Sequence, residues 1–144
     1  MTSHILKNRC IFDAIMNVAL ISLGSNNNRE HNIALCNRLL DDIYPDILYS
    51  ATSVTKPYGE RYQHDFLNQL AVIRTDRPYE EVIDTLKSLE KRIGRTPEDK
   101  LLGLVRIDID LIVWNNKILK PEDMHRSYIH DLLPTLPHPE MFKF

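Results

Sequence analysis

The order of the hydrophobic segments predicts an α+β fold, β-α-β-β-α-β, with a four-stranded, mostly antiparallel sheet and two helices on one face. Three observations support this. Four short runs rich in apolar and β-branched residues, 17–23, 47–54, 66–74 and 107–114, have the length of strands and are bounded by turn residues. Two longer segments repeat apolar residues at helical spacing. The second and third strands follow one another with no helix between them, whereas a helix separates the other neighbours. The second face of such a sheet is left for a ligand or a partner.

NVALISL at 17–23 is almost continuously apolar, which suits a strand buried on both faces. GSNNN follows as a turn, and Asn26–Asn28 can cap a helix. Ile33, Cys36, Leu39, Leu40 and Ile43 form the stripe of that helix, and Tyr44-Pro45 stops it. ILYSATSV at 47–54 and FLNQLAVIR at 66–74 read as the second and third strands. The polar link between them, TKPYGERYQHD, has about eleven residues, against two to five in a usual hairpin. Links of that length commonly carry function. Thr75 or Asp76 can cap the second helix, with Pro78 in its first turn. Val82, Ile83, Leu86, Leu89 and Ile93 give its stripe, and Gly94 ends it. RTPEDKLLGLV at 95–105 reads as a second irregular link. The fourth strand follows, then Asn115-Asn116 as a turn and a tail with four prolines and no clear period. The whole is the ferredoxin-like arrangement. Residues 16–144 read as one domain, and residues 1–15 as an extension, an added strand or a helix.

A chain of 144 residues can bury a core of its own. With 43% hydrophobic and 26% charged residues, the composition is that of a soluble globular protein. A net charge of −2 argues against a dedicated nucleic-acid binder. No apolar run reaches the roughly 18 residues that span a bilayer, and MTSHILKNRCIFDAI lacks the apolar core and cleavage site of a signal peptide. Cys10 and Cys36 have no metal-ligand spacing and suggest no disulfide framework, so a reducing cytoplasm is expected. The phosphate-binding G-x-x-x-x-G-K-[ST], the dinucleotide G-x-G-x-x-G, H-E-x-x-H and G-x-S-x-G are all absent. Oligomeric state is not legible.

The run Ile107-Asp108-Ile109-Asp110-Leu111-Ile112-Val113 alternates carboxylates with apolar residues. On a strand, Asp108 and Asp110 share one face, roughly 6.5–7 Å apart, while Ile107, Ile109, Leu111 and Val113 face the core. Two readings fit. A half-exposed strand alternates in the same way. Alternatively, two carboxylates that repel each other on one face are bridged by hard dications, as Mg²⁺ is by carboxylates and substrate phosphates.

ALISLGSN at 19–26, T-x-P-x-G at 55–59, DFLNQLAV at 65–72, LEKRIGR at 89–95 and IDIDLIVW at 107–114 occur here in a fixed order. In that order they resemble the 6-hydroxymethyl-7,8-dihydropterin pyrophosphokinase family of folate biosynthesis. The resemblance covers residues 17 to 114, and more weakly 121–134. It implies a ferredoxin-like core that transfers the β,γ-diphosphate of ATP to the pterin hydroxymethyl group and releases AMP. It also implies that Asp108 and Asp110 hold two Mg²⁺ ions. Asn68 matches the pterin-binding asparagine, with Phe66 on the same side; Asn26, Thr55, Pro57 and Tyr58 match segments around the pterin pocket. Arg126 and Tyr128 match an arginine of the nucleotide site and the pterin-stacking aromatic. Glu90 matches a glutamate near the nucleotide, with Lys87 one turn before it. Arg95 opens the catalytic loop, in which Lys100 and Arg106 are the remaining cations. Taken alone, Phe66 reads equally as core, Asn26 as a helix cap, and Lys87 and Glu90 as an exposed helix face.

The chain departs from the family pattern in two places. In the loop before the Asp-bearing strand, Gly103 is kept, Leu102 stands where a tryptophan is usual, and Val105 where an arginine is usual. Arg106 lies one position nearer the aspartates and shares their face if the strand begins by Arg106. The histidine of the family's P-H-P segment is missing before 126, while His138 lies in a P-H-P of its own, as a replacement or as a tail residue. The alternatives are therefore a catalytically impaired relative that binds pterin or nucleotide, and an interaction module using its open sheet face.

Overall fold

The structure, a computed structural model, describes residues 16–57, 59–62 and 64–138. The extension expected over 1–15, Cys10 and Tyr58 lie outside the described residues. Five strands, β1 (Asn17–Ser25), β2 (Leu48–Thr55), β3 (Phe66–Thr75), β4 (Asp108–Trp114) and β5 (Lys117–Ile118), form one sheet. Their order is β2-β3-β1-β4-β5. The first four have the ferredoxin-like order. The expected mostly antiparallel sheet of four strands is present, with two refinements. Every neighbouring pair is antiparallel, because each helical crossover skips one position that another strand fills. The short β5 is an addition, turned back onto β4 across Asn115, which has a φ of 53°.

Helices α1 (Arg29–Ile43) and α2 (Tyr79–Ile93) cover one face. Their stripes, including Ile33, Cys36, Leu40, Val82, Leu86 and Leu89, pack on Ala19, Ile21, Leu23, Ala71, Ile73, Ile107, Ile109 and Leu111. Cys36 is fully buried, and burial pushes its thiol up to about 12. Asn28 occupies the N-cap of α1 in a left-handed conformation without a side-chain cap. Pro78 is the N-cap of α2 and not a first-turn residue.

The tail is ordered into α4 (Pro121–Met124), α5 (Ser127–Leu132) and a 3₁₀ turn (Leu133–Thr135). A short α3 (Pro97–Leu101) lies in the link that reads as irregular. The aperiodic tail covers much of the second sheet face. Met124, Ile129, Leu132 and Leu136 pack on Leu20, Leu70, Val72, Ile112 and Val113 as a second core. Val113 belongs to this core and not to the helix side. The pairing of β1 with β4 shifts between Leu20↔Val113 and Ile21↔Leu111, so the extra residue Ile112 reverses the faces beyond it. Trp114 accordingly packs toward the helices and meets Tyr79 edge-on at 5.6 Å. The tail is also tied to the edge strand, where Ala51 N donates to Thr135 Oγ1 at 3.0 Å. The end of this face near the start of β4 carries an open cleft.

Ile129 is fully buried in the second core. Ile129→Ala is expected to cost about 2–4 kcal/mol in urea unfolding. A loss under about 0.5 kcal/mol, the level of an ordinary surface change, would show that the tail is not part of the cooperative core.

Candidate active site

Strand register assembles the open end of the sheet. Asp108 on β4 pairs with Gly24 on β1, Gly24 pairs with Asn68 on β3, and Asn68 pairs with Ser53 on β2. One row across the sheet thus carries a carboxylate, a gap and an amide. In the next row Asp110 lies opposite Ser22. A Cβ added at Gly24 would meet Asn68 Oδ1 at 3.7 Å and Phe66 Cδ1 at 3.8 Å. A side chain there would fill the floor between them. The result is a cleft of about 350 Å³, whose walls include Ser22, Thr55, Phe66, Asn68, Arg95, Val105, Asp108, Asp110, Arg126 and Tyr128.

The amide of Asn68 is held from below. Its Nδ2 donates to Thr55 Oγ1 at 2.7 Å and to Ser53 O at 3.2 Å. Fixing the nitrogen this way leaves Oδ1 on the cleft side, with no hydrogen-bond partner among the described residues. Phe66 is half-buried in the wall, edge-on to Tyr62 at 5.3 Å. Across the cleft the Tyr128 hydroxyl shares a 3.2 Å hydrogen bond with Ser22 Oγ, and burial raises its pKa. The cleft therefore offers aromatic surface beside an oriented amide, the requirements of a flat heterocycle with a polar edge.

The carboxylates lie at the other side. Burial, followed by the charge of Asp110, raises the Asp108 carboxyl to about 7, and Arg95 offsets part of this. Each acid has its own cation. Arg95 Nη1 lies 3.0 Å from Asp108 Oδ1, and Lys120 Nζ lies 2.9 Å from Asp110 Oδ1. Among the described residues no group of three or more His, Cys, Asp or Glu could hold a metal. Two aspartates alone suit a hard dication that completes its shell with water and phosphate oxygens, and the mutual repulsion of the pair is what such an ion relieves.

Arg95 is aimed by the end of α2. Gly94, at φ 116°, closes the helix with Gly94 N–H to Lys91 O at 3.1 Å and Arg95 N–H to Glu90 O at 3.0 Å. This folds Arg95 back over Glu90, whose Oε2 accepts from Arg95 Nη1 at 2.8 Å and from Ile109 N at 2.8 Å. Glu90 is thus neither an exposed helix residue nor a wall of the cleft; it braces α2 against β4. Arg106 lies before the strand, which starts at Asp108, and its Nε pairs with buried Asp99 at 3.1 Å.

Asn26 is likewise occupied, as a clasp rather than as a helix cap. Its Nδ2 donates to Gly103 O at 3.0 Å, its Oδ1 accepts from Val105 N at 2.6 Å, and its backbone N–H donates to Val105 O at 2.9 Å. Gly103, at φ 67°, makes the closest approach, since an added Cβ would lie 2.0 Å from Arg61 O. The two long links thus meet at a position only glycine can take. Lys87 and Lys100 are exposed and Pro57 is the second residue of the 56–65 link; none of these three lines the cleft. Arg126 does, with Nε 3.1 Å from Asp123 Oδ1. His138 is exposed at φ 59° and also lies away from the cleft wall. Sequence reading missed Ser22, Arg61, Tyr62, Lys120 and Asp123. Ser22 had a signal, because it alternates with Gly24 on one face of β1.

Together, fold and cleft define a ferredoxin-like α+β protein with an aromatic and amide pocket next to a carboxylate pair. Residues 20–144 match the profile of the 7,8-dihydro-6-hydroxymethylpterin-pyrophosphokinase (HPPK) family, and the chain belongs to that family. A 2-amino-4-hydroxy-6-hydroxymethyldihydropteridine pyrophosphokinase of Bacillus subtilis (strain 168) is 28% identical over 130 residues, covering 88% of this chain and 71% of the relative. Proteins of the same name from Porphyromonas gingivalis and Haemophilus influenzae are each 26% identical, over 135 and 129 residues. They cover 89% and 88% of this chain, and 84% and 74% of their own lengths.

Two expectations follow. Gly103→Ala forces the links apart, so it is expected to lower stability by about 1–3 kcal/mol and to speed hydrogen exchange at the Val105 amide. Unchanged exchange there contradicts the clasp. Because the Asp108 carboxyl is raised from 3.8 to about 7, the folded protein holds this proton more tightly than the unfolded chain. That contribution is present below the unfolded pKa and is lost as pH rises through the folded one. Without metal, the parent is expected to lose more stability between about pH 4 and pH 7 than Asp108→Asn, which cannot titrate. Parallel pH profiles of the urea midpoints contradict it.

Proposed function

We propose that this protein transfers the β,γ-diphosphate of ATP to 6-hydroxymethyl-7,8-dihydropterin and releases AMP, a step of folate biosynthesis. The observation that carries this reading is the row from Asp108 through Gly24 to Asn68, a carboxylate and a heterocycle-binding amide on either side of one gap. Asn68 Oδ1 accepts from the pterin edge, and Phe66 and Tyr128 hold its faces. Thr55 sets the asparagine rotamer, while Pro57 and Tyr58 belong to the link that borders the pocket. Asn26 holds the 103–105 segment in place beside the substrates.

Asp108 and Asp110 would hold two Mg²⁺ ions. Bound there, Mg²⁺ supplies charge neutralisation of the phosphates and polarisation of the attacking hydroxyl. The protein's own work is positioning. The cleft aligns the pterin hydroxyl oxygen with the β-phosphorus. A bond forms between them, the bond from that phosphorus to the oxygen bridging to the α-phosphate breaks, and AMP departs with the bridging oxygen. The hydroxyl proton passes to solvent or to a phosphate oxygen. Arg95, in the cleft wall, offers its guanidinium to the charge that develops. Arg126 contributes from the opposite wall, and Arg106, Lys87 and Lys100 supply outer positive charge to the nucleotide. Glu90 acts on the nucleotide side by holding Arg95. A cytoplasmic reaction is in keeping with the buried Cys36 thiol, which has no disulfide partner among the described residues.

One observation favours a second reading. Val105 presents an apolar side chain to the cleft where the family pattern carries a cation, which suits a relative that binds without turnover. Incubation with ATP, Mg²⁺ and the hydroxymethyl-dihydropterin separates the two. AMP and pterin diphosphate in equal amounts are expected, with turnover reduced about 100-fold or more by Asp110→Asn. Calorimetric pterin binding with no AMP above background would assign the non-catalytic reading.

A further inference from the structure

Lys120 is placed with more constraint than an incidental surface lysine. The β4–β5 pairing, Val113↔Ile118 and Trp114↔Lys117, continues one step through Leu119 N–H to Ile112 O at 2.8 Å. The next residue therefore runs alongside the aspartate-bearing stretch of β4, and Pro121 then turns the chain into α4. From that anchored point the Lys120 ammonium reaches Asp110 Oδ1 at 2.9 Å, with the side chains still 41% and 31% exposed.

The cations around the cleft are otherwise committed. Arg95 is on Glu90 and Asp108, Arg106 on Asp99, and Arg126 on Asp123, while Arg61 in the cleft wall lies over the Tyr62 ring. Val105 contributes no charge. Lys120 is the cation on the Asp110 side, and it mirrors Arg95 on the Asp108 side. Its charge sits on a flexible four-carbon stem, so it can move several ångströms without disturbing the backbone. An exposed pair of this kind adds little to stability. Its effect lies instead in keeping a mobile ammonium at the edge of the site.

We propose that Lys120 is a phosphate-binding residue of this site, held on Asp110 in the free protein and passed to a nucleotide phosphate oxygen when a divalent cation takes that carboxylate. The inference rests on the nucleotide-transfer reading above. A dication on Asp110 repels the ammonium and removes its partner's charge, while the phosphates it accompanies provide a stronger one. Lys120 and the dication therefore compete for Asp110 when no nucleotide is present and cooperate when it is.

This predicts effects of opposite sign from one substitution. Lys120→Met keeps most of the apolar stem and removes the charge. Calorimetry with Mg²⁺ alone is expected to show binding about 3-fold tighter or more in Lys120→Met than in the parent. Calorimetry with Mg²⁺ and α,β-methylene-ATP is expected to show nucleotide binding about 10-fold weaker or more. Lys120→Arg restores nucleotide affinity, and pterin affinity is the same in all three proteins. A structural ion pair alone would change Mg²⁺ and nucleotide binding in the same direction or in neither. If the parent binds the nucleotide and Lys120→Met binds it equally well, the inference is overturned while the functional reading stands. If the parent binds no nucleotide, the functional reading fails and takes this inference with it.

Discussion

Asp108 and Asp110 repel each other across one face of β4, and the open end of the sheet is organised as an answer to that repulsion. Burial first, and the charge of Asp110 after it, raise the Asp108 carboxyl to about 7, and Arg95 offsets only part of this. The protein sets one cation against each acid, Arg95 from the end of α2 and Lys120 from the end of β5. Neither partner removes the cause. The pair borders a cleft that also holds the oriented amide of Asn68 and the aromatic rings of Tyr62, Phe66 and Tyr128.

The rest of the architecture serves to keep this arrangement open and aligned. Alternation of β4 puts its isoleucines into the helix-side core and leaves the aspartates outward, while the irregularity at Ile112 turns the remainder of the strand toward the second core. The tail seals that second core but stops short of the aspartates. The helix-ending glycine at 94 and Glu90 direct Arg95, and the contact of Gly103 with Arg61 O ties the two polar links together. Asn26 then fixes that junction to the end of β1. Asp108, Asp110, Phe66 and Asn68 of the cleft wall therefore come from the sheet, and Arg95, Arg126 and Tyr128 from the end of α2 and from the tail.

Much of this was legible in the sequence, for reasons that differ by element. The helices and four strands announce themselves through period, because Leu86 and Leu89 or Ile107 and Ile109 can be buried only at those spacings. Asp108 and Asp110 share a face by parity alone. Parity also set the limit of the reading: it put Val113 on the helix side, and one extra residue in the β1–β4 pairing reversed it. The tail had no period because its helices are only four and six residues long, so Ile129 and Leu132 are placed by docking rather than by repetition. Arg106 was expected beside the aspartates if the strand reached it, but the strand begins two residues later and Asp99 takes the guanidinium. Lys120 left no sequence signal, since its position depends on a two-residue strand that composition does not mark.

The central claim is that the paired aspartates hold divalent metal together with a nucleotide. Electron paramagnetic resonance of Mn²⁺, used in place of Mg²⁺ with α,β-methylene-ATP and the pterin, tests it most directly by counting protein-bound ions. Two Mn²⁺ per chain are predicted, falling to one or none in Asp108→Asn and in Asp110→Asn. Equal stoichiometry in the parent and both variants would contradict the claim and place the metal elsewhere.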